Sequence, residues 1–306
     1  MLEEVPKKRN RFRLSRVGQS ETAAGWALVS PAAALIGVFG LLPVLMSLML
    51  SFQQSDLLTP ETPWVGLDNY RKLADDPVFV EAIKHTIIYT ALFVPGTMVV
   101  GLVVATALNR SVRFISLYRT AAYITMAVST ISQGIIFLWL TDRDYGLVNA
   151  ALNAVGAPSQ PFLASPSQAL YVIVAMTIWG WTGFSVIVYL AALQGVPAEL
   201  HEAAAIDGAS PFTRFRTITV PLLGPANLFL VVWLTINALQ LFDEVYATTR
   251  GGPLRATTVI VYYLWDRAFV QFDAGYAAAM AYALFVVILL ITAVQFRLAR
   301  KHVHTP

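Results

Sequence analysis

Six runs of about 20 or more mostly apolar residues decide what this chain can fold into, and they lie at 25–51, 85–108, 120–140, 169–193, 225–246 and 274–296. Each is long enough to cross the roughly 30 Å hydrocarbon core of a bilayer as a helix rising about 1.5 Å per residue. Hydrophobic residues make up 57% of the 306-residue chain and charged ones only 13%, against the roughly 45–50% apolar content of a soluble domain. The mean hydropathy of +0.63 agrees. The fold class expected is therefore all-α integral membrane, with six spans and both termini on one side.

The first run follows a basic segment, Lys7, Lys8, Arg9, Arg11, Arg13 and Arg16, which has the look of a secretory leader. Its apolar stretch far exceeds the 7–15 residues of a leader's hydrophobic region, so it reads as a retained anchor. Fourteen of the 21 Lys and Arg residues fall on the side of the N-terminus: the six above, Arg110, Arg113, Arg119, Arg214, Arg216, Arg297, Arg300 and Lys301. The opposite loops carry Arg71, Lys72, Lys84, Arg143, Arg250, Arg255 and Arg267. The positive-inside bias places both ends in the cytoplasm of a multi-pass protein of the cell membrane. The organisation expected is a basic tail at 1–24, a transmembrane domain at 25–298 and a short tail at 299–306.

Net charge is +3 and the pI about 9.1, but the basic residues sit at the ends of apolar runs, so they report topology and no nucleic-acid partner. Cysteine is absent, which excludes disulfides, thiolate-bound zinc and thiol chemistry. His85, His201, His302 and His304 lack metal-ligand spacing, and no metal site is expected.

Between the fourth and fifth runs, at 194–224, the composition changes abruptly and brings its own helix punctuation. Pro197 suits a first turn, Glu199 and Glu202 sit where the helix dipole favours anions, and Gly208 can take the left-handed conformation that ends a helix. Ser210 is placed to cap a second helix opening at Pro211, and Pro221 marks where that helix must stop or bend. The result is a short helical hairpin. Ala203, Ala204 and Ala205 give it a thin face that another protein could approach closely, Glu202 offers a charge to an Arg or Lys partner, and Phe212 and Phe215 form a stripe at i and i+3. The plainer reading is an amphipathic connector lying on its own bundle.

The spacing of this segment is Glu202-Ala203-Ala204, three residues, Gly208, nine residues, Ile218, one residue, Val220-Pro221. It resembles the signature of the permease subunits of binding-protein-dependent ABC importers, Glu-Ala-Ala, three residues, Gly, nine residues, Ile, one residue, Leu-Pro, with Val220 in place of the leucine. Phe242-Asp243-Glu244-Val245-Tyr246, Thr249, Gly251-Gly252-Pro253 and Thr257 look like the carbohydrate and glycerol-phosphate branch of that family. Gly66-Leu67-Asp68-Asn69-Tyr70, Asp76-Pro77, Gly275-Tyr276-Ala277 and Ala279 fit too, so the resemblance covers nearly the whole chain.

The resemblance implies a six-helix type I importer permease of the maltose type with a cytoplasmic coupling-helix hairpin. It assigns contact with the ATPase to Glu202, Ala203, Ala204, Asp207, Gly208, Pro211, Phe212, Ile218 and Pro221. It also implies a heterodimer with a second, homologous permease, two cytoplasmic ATPase subunits and an extracytoplasmic solute-binding protein. The chain contains no Gly-x-x-x-x-Gly-Lys-Ser/Thr phosphate loop, so ATP and Mg are expected on the partner ATPase and no cofactor on this chain.

Polar side chains inside a span tend to face a cavity or a partner helix, so their phase is informative. Trp233, Asn237, Gln240 and Glu244 fall at i, i+4, i+7 and i+11, one stripe of a continuous fifth helix. An aromatic plane, two amides and a carboxylate suit a polyhydroxylated solute. Thr125, Ser129, Ser132 and Gln133 in the third run, with Thr177, Trp181 and Phe184 in the fourth, extend the candidate path. Packing between helices is the competing explanation for all of them. Asp243 and Glu244 could be solvated end charges or could pair with Arg250 or Arg255.

The function expected is thus the translocation subunit of an ATP-driven importer of a sugar, an oligosaccharide, glycerol 3-phosphate or a glycerophosphodiester, working by alternating access without making covalent bonds. The rival from another class is an ion- or proton-coupled secondary transporter, which usually needs an ionisable relay or broken helices near the midplane, and neither is evident in the sequence. A membrane-embedded enzyme lacks paired carboxylates, a His cluster or a nucleophile with its base.

Overall fold

The computed structural model describes residues 17–56, 61–110 and 113–299. The basic residues Lys7 to Arg16, Pro60 and the tail from Arg300 onward lie outside the described residues. The described residues divide into two compact units, with the boundary between Leu50 and Ser51. The described residues contain no β-strand, only isolated bridges such as Gln53 with Trp64.

In the first unit α1 (Val17–Ile36) passes through a π-turn, Gly37–Leu41, into α2 (Leu42–Ser51). Its apolar side chains, among them Leu35, Phe39 and Leu45, are exposed, as an all-round hydrophobic helix requires of a lipid or protein surround.

The second unit is built on long helices. α3 (Asp68–Asp75) leads to α4 (Pro77–Leu108), whose start is fixed by Asp76: its Oδ1 accepts from the N–H groups of Val78 (2.9 Å) and Phe79 (3.3 Å), and Pro77 occupies the first turn. α5 (Ile115–Ala127) and α6 (Thr130–Leu140) follow, then α7 (Leu147–Ala154) and α8 (Ala169–Gln194). α9 (Ala198–Ile206), α10 (Pro211–Arg214), a π-turn at Phe215–Thr219 and α11 (Val220–Leu222) form the hairpin region. α12 (Gly224–Leu239), α13 (Asp243–Ala247), α14 (Ile260–Trp265) and α15 (Ala274–Ala299) complete the chain.

Among the described residues four helices are long and apolar enough to cross a membrane, and up to six crossings result if each of two bent pairs is one span. The bent pairs correct the expectation of continuous helices. The third run turns by 100° between α5 and α6, because Ser129 adopts an extended backbone and its side chain accepts from the N–H of Ser132, which starts a new helix inside the apolar run. The fifth run ends at Leu239, where Gln240 caps α12 and Phe242 leaves helical geometry, so Glu244 belongs to the separate α13. A further bend of 65° separates Pro211–Leu222 from Gly224–Leu239. Broken helices are therefore present that hydropathy alone did not reveal.

The core joins α4, α8 and α12 around Tyr89, Phe93, Ile173, Met176, Val186, Tyr189, Leu230 and Leu234, all at most 2% exposed. Polar ties cross it: Tyr189 donates to Asn227 Oδ1 at 2.8 Å, and Gln295 Nε2 to Thr235 Oγ1 at 3.0 Å. Such interhelical bonds contribute about 0.6 kcal/mol each on average in membranes.

Candidate functional site

Two adjoining cavities of about 260 and 280 Å³ open between α4, α6, α8, α12 and the Gln240–Glu244 break, sharing Thr130, Trp181 and Glu244 in their walls. Each alone falls just below the roughly 300 Å³ at which small-molecule pockets begin, and side by side they reach it. Their wall is a chain of aromatic contacts. Tyr89 stacks on Phe93 (5.3 Å), Phe93 meets Trp181 edge-on (6.3 Å), Trp181 meets Phe184 (5.7 Å), and Phe184 stacks on Trp233 (6.0 Å).

Besides the polar tips of Tyr89, Trp181 and Trp233, the polar side chains of these cavities are Thr130, Gln133, Asn237, Gln240, Asp243 and Glu244. Gln133 Nε2 donates to the carbonyl of Val128 at 2.9 Å, the last turn before the break, and Asn237 Nδ2 donates to the carbonyl of Trp233 at 2.8 Å. Gly180 is what lets Gln133 lie against α8, because a Cβ there would collide with its side-chain amide. Glu244 forms no ion pair among the described residues. Arg250 instead lies over the Tyr246 ring at 6.0 Å, and Arg250 and Arg255 line a separate cleft with Asp266.

Of the residues singled out in the sequence, the structure thus gathers Gln133, Trp181, Trp233, Asn237, Gln240 and Glu244 around one space, although α12 and α13 are not one helix. Four others lie elsewhere, among them Thr125, which bonds the Ala122 carbonyl of its own helix at 3.3 Å. Thr177 is 1% exposed and bonds the carbonyls of Ile173 and Val174 in its own helix, while Ser129 and Ser132 bond each other at the start of α6 (2.9 Å). Tyr89, Phe93 and Thr130 were missed, the first two because nothing in an apolar helix marks which aromatic faces a cavity.

The hairpin residues lie between α8 and the bend into α12. α9 runs from Ala198, one residue after Pro197. Gly208 has φ +79°, and the N–H groups of Gly208 and Ala209 close on the carbonyls of Ala205 (3.1 Å) and Ala204 (2.9 Å), the glycine-terminated helix end that a side chain would strain. Ser210 Oγ accepts from the Thr213 N–H at 3.2 Å and starts α10 at Pro211. Glu202, Ala203, Asp207, Pro211 and Pro221 are exposed, Ala204 and Ile218 half-buried. The two phenylalanines part company: Phe212 is 71% exposed and Phe215 is half-buried. Ile206, at 87% exposure, joins Phe212 as an apolar group held out from the surface, which sequence spacing did not single out.

Where α4, α14 and α15 meet, Asp76 Oδ2 accepts from the hydroxyls of Tyr263 (2.6 Å) and Tyr276 (2.8 Å), and Arg267 Nη2 stands 3.5 Å away. The Arg267 guanidinium lies 5.2 Å from the centre of each tyrosine ring. An open cleft of about 700 Å³ beside this node is lined by Asp68, Arg71, Lys72, Asp75 and Asp273 as well; mixed charges and openness to solvent make it a surface rather than an enclosed pocket. Among the described residues no three His, Asp or Glu side chains are grouped to hold a metal ion.

The model of the family described as binding-protein-dependent transport system inner membrane component matches residues 97–303. The lactose transport system permease protein of Rhizobium radiobacter is 36% identical over 283 residues, 90% of this chain and 94% of that protein. The sn-glycerol-3-phosphate transport system permease protein of Agrobacterium fabrum is 33% identical over 280 residues, 91% of this chain and 95% of its own length. Among solved structures, a bacterial ABC transporter involved in the import of the acidic polysaccharide alginate superimposes with a TM-score of 0.84, covering 94% of this chain and 98% of that one, at 23% identity. That likeness is one of fold.

Proposed function

This chain belongs to the family of binding-protein-dependent transport system inner membrane components, and on that premise we propose that it forms one half of the translocation path of an ATP-driven importer of a sugar or glycerol-phosphate solute. The curated relatives named for lactose and for glycerol 3-phosphate support that range of cargo. The observation that carries the reading is the exposed, capped hairpin at 198–222, joined through a 65° bend to the helix that lines the cavity.

The hairpin faces the cytoplasm, as the distribution of Lys and Arg supports, and its partners are two ATPase subunits carrying ATP and Mg. Glu202, Ala203, Ala204, Asp207, Gly208, Pro211, Phe212, Ile218 and Pro221 form or shape that contact. A second permease completes the bundle, and a solute-binding protein delivers cargo to the opposite side. Closure of the ATPases moves the hairpin, and the motion passes through Leu223 into α12. Asn237 lies fourteen residues beyond Leu223, about 21 Å along a helix, so a rotation at the bend moves Trp233 and Asn237 relative to Trp181 and Tyr89. This couples nucleotide state to which side of the cavity is open. The chain itself makes no covalent bond.

Broken helices are also a feature of secondary transporters, and one experiment separates the two drives. The complete importer in proteoliposomes should accumulate solute with ATP when the proton gradient is collapsed. Uptake that follows the gradient and ignores ATP would overturn the proposal.

A further inference from the structure

We propose that this chain's half of the cavity selects uncharged, hydroxyl-rich solutes and rejects anions, an inference resting on the reading above that the cavity is the translocation path. The argument is one of acceptors and donors. The side-chain amides of Gln133 and Asn237 are oriented by bonds to the carbonyls of Val128 and Trp233, and only an amide N–H can make such a bond. Each amide thereby keeps its oxygen and its second N–H for a solute. Glu244 and the exposed Asp243 add two carboxyl groups to the same wall.

A sugar hydroxyl both donates to these oxygens and accepts from the remaining amide N–H groups, and the apolar face of a pyranose fits the aromatic chain through Trp181 and Trp233. A phosphate, sulfonate or uronate brings acceptor oxygens and a negative charge to the Asp243 and Glu244 carboxylates. No Lys, Arg or His lines either cavity among the described residues, so this chain offers an anion no counter-charge. A cleft lined by one sign of charge focuses its field, which strengthens that discrimination.

The test uses the complete importer in lipid nanodiscs and reads the sign of the field directly. The fluorescence lost in the double variant Trp181→Phe, Trp233→Phe isolates the cavity tryptophans, and acrylamide, caesium and iodide serve as neutral, cationic and anionic quenchers. Iodide should quench that signal at least about threefold less effectively than caesium, and Glu244→Gln with Asp243→Asn should bring the two close to equal. Iodide quenching equal to caesium's in the unsubstituted protein overturns the proposal, as does ATP-driven accumulation of glycerol 3-phosphate by the complete importer. Failure of acrylamide to reach the cavity tryptophans sinks instead the reading of the cavity as a path. Co-purification of the partner subunits with the Glu244→Gln, Asp243→Asn variant shows that it folds and keeps the charge comparison decisive.

Discussion

The Asp76 node and the helical hairpin are built in opposite ways. Asp76 draws together the first turn of α4, Tyr263 of α14 and Tyr276 of α15, spanning 187 and 200 residues of sequence through two hydroxyl bonds, with Arg267 closing the charge. The hairpin is held by local bonds: its glycine turn, the Ser210 cap and one reach of Arg214 Nη1 to the His201 carbonyl at 3.4 Å. Its apolar groups Ile206 and Phe212 point away from the rest of the chain. A region tied by long-range, charge-assisted bonds resists displacement, and one tied only to itself can move as a unit without breaking the body. The contrast separates a fixed frame from a lever.

The largest effect expected of a single change falls on the lever. Gly208→Val places a β-branched side chain at φ +79°, and Glu202→Lys inverts the exposed charge. Either should lower ATPase co-purification and ATP-driven uptake by about tenfold or more, given that interface hot spots carry 2 kcal/mol or more. Insertion into the membrane should be unaffected. Normal uptake and normal co-purification in both variants would reduce the hairpin to a connector and erase the distinction.

On the frame, Asp76→Asn should act through stability instead. It removes a charged acceptor from two tyrosine hydroxyls and leaves Arg267 without its carboxylate, a loss on the order of 2 kcal/mol. The apparent thermal midpoint of the purified permease pair should fall by several degrees while the solubilised complex still binds its ATPase. An unchanged midpoint, or loss of ATPase binding with stability intact, would mean the node is no frame.

Hydropathy made the spans legible, since a bilayer imposes length and apolarity on any crossing helix, and the hairpin was legible because Gly208, Ser210 and the prolines act through local backbone chemistry. The breaks were not. Ser129 carries a capping signal inside an apolar run, but whether it caps depends on α6 packing against α13 and α8, which no local pattern records. The break after Leu239 has no glycine or proline to mark it. The cavity stripe was found from the phase of a continuous helix, yet Glu244 reaches the same space from α13. The Asp76 node could be seen only as Asp76-Pro77 at a helix start, because its partners lie near the other end of the chain.

A smaller effect sharpens the lever. Phe212 is 71% exposed, so Phe212→Ala should leave stability within about 0.5 kcal/mol of the parent. The same change should weaken ATPase binding by about 1 kcal/mol, roughly fivefold, if that ring enters a partner groove. Ile206→Ser should behave alike, and Phe215→Ala, half-buried, should cost stability before it costs coupling. Equal stability losses in all three would show that the hairpin is packed as the frame is.

The smallest effect is one of pH and belongs to the frame alone. Burial pushes the Asp76 carboxyl up, but bonds from the Tyr263 and Tyr276 hydroxyls and from the Phe79 and Val78 N–H groups outweigh it, and the group titrates below the ordinary aspartate value of 3.8. A carboxylate whose pKa is depressed by folding adds stability that is complete above the unfolded value and fades as pH drops through the folded one. The stabilisation should therefore hold from neutrality down to about pH 4 and decline only below it. In thermal scans the parent should lose its margin over Asp76→Asn across that acid window and nowhere above it. A margin that shrinks instead between pH 5 and 8 would assign the effect to another group and take the charge out of the node.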